Sequence, residues 1–193
     1  MKQISTSQQI KTKSKPSINF KKYIRNVPDF PKSGIMFRDI TTLLMNEKVL
    51  RAAVDALAKK FQRKKIQKII AIESRGFIFG AMLAYKLKCG FVPVRKPNKL
   101  PMVGLLICQE YSLEYGKDKL EMHSDALKKN ERVVLIDDLL ATGGTMEAAC
   151  WMVEKTGAKI QGIAFLIELD FLHGRDKLKN YDVFSLVHYI DEK

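Results

Sequence analysis

One run, Val133-Val134-Leu135-Ile136-Asp137-Asp138-Leu139-Leu140-Ala141-Thr142-Gly143-Gly144-Thr145, constrains the fold more than any other part of the chain. Its four leading apolar residues read as a parallel strand covered on both faces, and in such sheets ligands sit beyond the carboxyl ends of the strands. Asp137 and Asp138 come at that end. After the Thr-Gly-Gly-Thr turn, Met146, Ala149, Cys150 and Val153 form an apolar stripe at helical spacing. Gly143 and Gly144 let the backbone turn its N–H groups toward an anion at the positive end of that helix, with the hydroxyls of Thr142 and Thr145 as further donors. A phosphate monoester fits such a loop. The acid pair before it would repel a phosphate chain but accept hydrogen bonds from ribose 2′- and 3′-hydroxyls, so the expected ligand is a ribose 5-phosphate. Neither a Walker string, Gly-x-x-x-x-Gly-Lys-Ser/Thr, nor a dinucleotide string, Gly-x-Gly-x-x-Gly, occurs in the chain.

Length and composition set outer bounds. The 193 residues suit one domain with a sizeable core, at 46% hydrophobic and 28% charged. Apolar runs fall far short of the roughly 18 residues a membrane-spanning helix needs. Cys89, Cys108 and Cys150 are odd in number and lack metal-binding spacing, which fits buried thiols in a reducing cytosol. The net charge of +13 raises the question of nucleic acid. Six lysines (Lys2, Lys11, Lys13, Lys15, Lys21 and Lys22) and no acid occupy residues 1–22, so a basic, disordered tail is expected over 1–17, ahead of a single domain over 18–193. The remaining excess is expected to draw in a polyanionic substrate. Binding nucleic acid through bulk charge would need a folded basic stripe with stacking aromatics, which is not visible in the sequence.

Along the chain, Ile18, Tyr23, Ile24 and Val27 suggest a short helix before a turn-rich loop, Pro28–Gly34. A helix is expected from an Asn46 cap through Leu50, Ala53, Val54, Leu57 and Phe61. Strands are expected at 69–72, 91–94, 119–122, 133–136, 160–167 and 183–187, with a helix over 77–87 and Pro93 marking an irregular or edge position. This alternation implies an α/β fold with a mainly parallel, twisted sheet flanked by helices. Residues 96–116 break the pattern and read as a long flap, favoured as an active-site lid. A second polar turn, Glu73-Ser74-Arg75-Gly76-Phe77, follows an apolar strand; Arg75 offers a fork to phosphate oxygens and Gly76 permits close approach of the backbone.

The Val133–Thr145 run resembles the signature by which type I phosphoribosyltransferases bind 5-phosphoribosyl-1-pyrophosphate (PRPP). Phe30 to Ile40, Glu73 to Phe77, Val94 to Lys96, Lys99 to Pro101 and Leu113 to Lys117 together resemble the adenine phosphoribosyltransferases, in order over about residues 23–187. The resemblance implies a type I fold with a small hood, built from about residues 18–45 and the C-terminal part, and a flexible lid loop. It implies purine salvage, with adenine and PRPP giving AMP and pyrophosphate, Mg²⁺ carried with PRPP, and a cytoplasmic homodimer that binds neither membrane nor nucleic acid. By that resemblance Asp137 and Asp138 hold the ribose hydroxyls, reaching Mg²⁺ at most through water. Ala141, Thr142, Gly143, Gly144 and Thr145 bind the 5-phosphate. Glu73, Ser74 and Arg75, where the family often has a cis peptide between the first two, face pyrophosphate, as do Arg95, Lys96 and Lys99, in part from the neighbouring subunit. Met36, Phe37 and Arg38 read the adenine edge with backbone groups and stack on the ring against Leu169, and Glu114 is the acid or base near N7, with Arg75 as a second catalytic group.

The types suit the chemistry: carboxylates beneath a sugar gaining positive charge, cations around a departing pyrophosphate, and a lid that excludes water. The flap is about two residues longer than the commoner pattern, and the lysine-rich lead extends beyond the usual start. Competing readings are a phosphoribosyltransferase for another base and a non-catalytic PRPP-sensing regulator; Phe37-Arg38 and the Leu113–Gly116 segment argue for adenine and for catalysis.

Overall fold

Period-two alternation in three strands organises the molecule, described for residues 18–101, 104–112 and 117–192 of a computed structural model. A short antiparallel pair, β1 (Arg25–Val27) and β2 (Phe37–Asp39), precedes the helices α1 (Thr41–Leu44) and α2 (Glu47–Phe61). Then come β3 (Lys68–Ile72), α3 (Gly76–Leu87), β4 (Gly90–Val94), the strands β5 (Leu106–Ser112) and β6 (Lys117–His123), β7 (Arg132–Leu140), α4 (Gly144–Lys155), β8 (Lys159–Leu169) and β9 (Val183–Tyr189). Five strands form one parallel sheet in the order β4-β3-β7-β8-β9. Ile69, Ala71, Val134, Ile136, Ala164 and Leu166 face one side with α2 and α3, while Ile70, Ile72, Val133, Leu135, Ile163 and Phe165 face the other with α4. Both faces are therefore covered, which is why these strands read as continuous apolar runs.

Several expectations hold in detail. The Asn46 side chain accepts the Val49 N–H and starts α2, whose Val49, Ala53, Val54, Leu57, Ala58 and Phe61 are buried. Pro93 lies in β4, at a sheet edge where its missing N–H is tolerated. Others need correction. The segment expected as a helix around Ile18–Val27 is a 3₁₀ turn, Phe20–Tyr23, followed by β1, because Arg25 ties that stretch to β2 through an Nε–Asp39 Oδ2 hydrogen bond of 3.0 Å. The strand expected at 119–122 does not join the main sheet. It is part of β6, which pairs with β5 as an antiparallel arm, so a third of the expected flap, Leu106–Ser112, is regular structure. Leu106–Ser112 interleaves polar and apolar residues with no single apolar face, so no strand period stood out there. Strand β7 also runs on to Leu140 because β8 keeps pairing with it beyond the end of β3. Asp137 and Asp138 accordingly stand within β7 rather than at its end. The expected disordered tail over 1–17 lies outside the described residues.

Candidate functional site

At the carboxyl end of β7 the chain turns through Ala141–Gly143 into α4. Gly143 is the N-cap at φ 81°, a conformation that favours glycine, so the loop closes tightly and aims the first amides of α4 outward. A cavity of about 430 Å³ opens there, lined by Ala141, Thr142, Gly143 and Thr145 from the loop and by Asp137 from β7. Its other walls are Met36, Phe37, Arg38, Arg75 and Leu169. Ten residues singled out in the sequence thus meet at one cavity, from four separate stretches of chain.

Gly76 explains why two of those stretches touch. A Cβ there would lie 2.8 Å from Asp137 Oδ1, so only glycine lets the start of α3 press against β7. The Glu73–Ser74 peptide just before it is cis. Arg75 Nε then lies 2.9 Å from Asp138 Oδ2, and its guanidinium stacks over the Phe37 ring at 5.1 Å from the centroid. Asp138 is buried, and Asp137 is partly open to the cavity. Removal from water pushes both carboxyls above the usual carboxylate range; for Asp137 the neighbouring Asp138 charge adds to the rise, while Arg75 opposes it for Asp138. The Asp138 N–H donates to Asp137 Oδ1 at 2.8 Å, so the two neighbouring acids are tied to each other as well as to Arg75.

The remaining polar candidates form a second layer. Glu73 accepts from Arg95 Nε at 3.1 Å, from Arg95 Nη2 at 3.2 Å and from the Lys96 amide at 3.1 Å. Burial alone would raise the Glu73 carboxyl, but the Arg95 fork and the Lys96 amide bring it below its ordinary value. Arg95 also donates to the Lys99 carbonyl at 2.9 Å, and Lys96 pairs with Asp118 of β6 at 3.1 Å. Glu73 thus holds the loop after β4 in place, with its carboxylate directed at Arg95. Arg38 is engaged through its side chain. Its guanidinium is buried, donates to Asn26 Oδ1 at 2.7 Å and to the Glu192 carbonyl at 2.8 Å, and stacks on Tyr189 at 4.0 Å. The side chain clamps the C-terminal segment, which leaves the backbone of Met36–Arg38 to present a pattern to a flat ligand. Glu114 lies outside the described residues.

Several residues at the site carry no sequence signal. Ile35, Phe165, Phe171 and Leu172 complete the apolar lining of the cavity. Tyr111 of β5 donates to Asp118 at 3.2 Å across the arm, and its phenol, pushed up to about 12 mainly by burial, also feels Thr145 and Asp137. Gly174 backs the phosphate-type loop: a Cβ on it would sit 2.0 Å from the Ala141 carbonyl oxygen. Among the described residues, one cluster, Glu168, Asp170 and His188, has metal-binding proximity. Arg175 and Ser185 already occupy both Glu168 oxygens, so the cluster reads as a structural network.

A parallel sheet with a phosphate-type loop, an acid pair and a basic second turn at its carboxyl edge defines a phosphoribosyltransferase. The model of the phosphoribosyl transferase domain matches residues 39–191. The adenine phosphoribosyltransferase of Koribacter versatilis is 52% identical over 171 residues, 89% of this chain and 93% of that protein. The crystal structure of the Thermoanaerobacter pseudethanolicus enzyme of the same name superposes with a TM-score of 0.84 at 51% identity, covering 88% of this chain and 98% of that one. That of the Saccharomyces cerevisiae enzyme, complexed with an imino-altritol bisphosphate and adenine, gives 0.81 at 41% identity over 86% and 96%. This chain belongs to the adenine phosphoribosyltransferase family.

Proposed function

We infer that this chain transfers the 5-phosphoribosyl group of PRPP to adenine, giving AMP and pyrophosphate in purine salvage. The observation that carries the reading is one cavity that a phosphate-type loop, the Asp137 carboxylate, Arg75 and apolar side chains such as Phe37 and Leu169 line together. In the reaction N9 of adenine bonds to C1 of the ribose, the C1–O bond breaks with its electron pair leaving on pyrophosphate, and the base, attacking as the tautomer whose N9 lone pair is free, gives up its N7 proton. Ala141–Thr145 would bind the 5-phosphate, with Gly144 and Thr145 amides at the positive end of α4. Ribose hydroxyls would donate to Asp137 and Asp138, restoring the hydrogen bonds that burial removed and stabilising their charged forms as the sugar becomes cationic. Arg75, the Glu73–Ser74 peptide, Arg95, Lys96 and Lys99 would surround pyrophosphate. Met36, Phe37 and the Arg38 backbone would face Leu169 across adenine, and Glu114 would move the proton near N7.

Mg²⁺ fits this donor set: hard carboxylate oxygens beside a polyanionic ligand suit it, and Asp137 and Asp138 would reach it through water. When bound with PRPP it would offset charge on the leaving pyrophosphate. A cytoplasmic setting is supported by the three free cysteines, Cys89, Cys108 and Cys150. A homodimer is supported by an apolar groove beside the site, lined by Val27, Phe30, Ile40, Leu44 and Ile78, with Phe30 half exposed. A solution mass of twice 22.0 kDa is the expected result.

The test is Mg²⁺-dependent nucleotide formation from PRPP with adenine, hypoxanthine, guanine and orotate in parallel, using the wild type, Asp137→Asn and Glu114→Ala. AMP alone, lost in both variants, supports reaction and residues together. A different nucleotide overturns the base, and PRPP binding with no product from any base points to a sensor.

A further inference from the structure

Between β8 and β9 the chain makes an excursion along the cavity. Strand β8 ends at Leu169, a 3₁₀ turn covers Asp170–Leu172, and a second covers Gly174–Leu178. Leu169, Phe171 and Leu172 supply part of the apolar lining, and Gly174 presses against the Ala141–Gly143 loop. Where this excursion sits therefore decides the shape of the apolar part of the cavity.

A three-residue 3₁₀ turn does little to hold itself. Its hydrogen-bond geometry is poorer than that of an α-helix, and this one begins without a side-chain cap. The His173 N–H donates to the Asp170 carbonyl at 3.1 Å, closing the turn once. His173 itself stands at φ 52°, a left-handed conformation that a residue with a Cβ seldom adopts. Such a turn keeps one position only where partners outside it fix that position.

Two side-chain links supply those partners. The first closes the base of the excursion: Arg175 Nε donates to Glu168 Oε1 at 2.8 Å, and Ser185 of β9 donates to Glu168 Oε2. The second reaches the first residue of the turn. His188 of β9, the register partner of Glu168, places Nδ1 at 2.9 and 3.2 Å from the two Asp170 oxygens. Its distance to Glu168 Oε2 is 3.9 Å, too long for a hydrogen bond, so Asp170 is its acceptor. An ionised carboxylate only accepts, which requires a proton on His188 Nδ1. With side chains 44% and 34% exposed, the pair adds little to overall stability. Its place in the chain is what distinguishes it, since Asp170 directly precedes Phe171 and Leu172.

We propose that His188 is a positioning residue for the base. Through Asp170 it fixes the 170–172 turn, and so holds Phe171 and Leu172 against the apolar part of the cavity. The proposal rests on the reading that the base occupies that part. His188 and Asp170 stand outside the cavity lining, so their effect on the base passes through the turn.

The experiment measures AMP formation by the full-length wild type, His188→Leu, His188→Asn, Asp170→Ala and the double variant His188→Leu/Asp170→Ala, with adenine and PRPP varied in turn, beside a thermal melt. Leucine removes the donor at similar size, whereas the amide nitrogen of asparagine takes the place of Nδ1 and still donates to Asp170. His188→Leu should raise the KM for adenine about fivefold, within the roughly 100-fold that a 1 Å displacement can cost. The KM for PRPP and the Tm should stay near wild type, and His188→Asn should return the KM for adenine most of the way. The double variant should be no worse than either single one, because all three break the same link. A KM for adenine in His188→Leu within about twofold of wild type would overturn the proposal. So would a rise in both KM values with a lower Tm, which would make the pair a general support of the fold. Additive effects in the double variant would overturn it too, by showing that the two residues act separately. No AMP from the wild type would overturn the functional reading itself, and the proposal with it.

Discussion

Gly174→Ala should damage PRPP binding although Gly174 need touch no part of PRPP. A Cβ at this position would lie 2.0 Å from the Ala141 carbonyl oxygen and 2.9 Å from the Gly143 amide nitrogen, where ordinary contact begins near 3.4 Å. The Gly174 φ is not positive, so alanine meets no backbone penalty and the whole effect is steric. Relieving the overlap requires the turn and the 141–143 loop to separate by more than 1 Å. Overpacking of that kind costs about 1–3 kcal/mol, which for a domain of this size lowers Tm by roughly 2–10 °C. A 1 Å displacement of a binding loop can cost up to about 100-fold in activity. The assay is initial AMP formation against PRPP at saturating adenine, then against adenine at saturating PRPP, beside a thermal melt. The expected result is a rise of about tenfold or more in the KM for PRPP, with a smaller change for adenine. A lowered Tm with the KM for PRPP within twofold of wild type would refute the reasoning, because the turn alone would then have yielded while the loop stayed in place.

Three further substitutions have signed outcomes. In Asp137→Asn, the charged form that burial disfavours is removed. The folded pKa is raised, so the penalty relieved is present at neutral pH and vanishes as pH falls below the ordinary value of 3.8; Tm should rise near pH 7 while AMP formation is lost, and an unchanged Tm at both pH values would count against the burial argument. Asp39 behaves oppositely: the Thr41 amide, ahead of Arg25, holds its carboxyl at about 2. Asp39→Asn should cost ~1–2 kcal/mol in urea denaturation above pH 4, and the difference should fade as pH drops toward 2; a constant difference would refute the linkage. Tyr111→Phe removes the donor to Asp118, which in turn pairs with Lys96, so the KM for PRPP should rise about 2–10-fold with kcat little changed, whereas a fall in kcat alone would assign Tyr111 a different role.

How much the sequence discloses depends on whether a residue's task is local or depends on distant partners. The apolar stretch of β7 is legible because burial on both faces demands it, and the 141–145 loop because tight turns demand glycine beside helix-starting residues. Asn46 is legible as a cap because its partner, Val49, is three residues away. Gly174 was opaque for the opposite reason: its requirement comes from Ala141 and Gly143 across the fold, more than thirty residues back. Arg38 shows the intermediate case. Its position was legible but its side chain was not, since Asn26, Tyr189 and the Glu192 carbonyl that engage it come from two distant segments. Strand β5 was obscured, and β6 was legible as a strand but not as part of an arm, because a two-stranded arm over α4 needs no continuous apolar face. The same logic applies to charge. A count gives +13, but only the parallel order β3-β7-β8 aligns Lys68, Arg132 and Lys159, which are 91 positions apart at the extremes, along one edge. Chemistry that a segment carries by itself can be read from the sequence, while chemistry made by register and strand order becomes visible only in the fold.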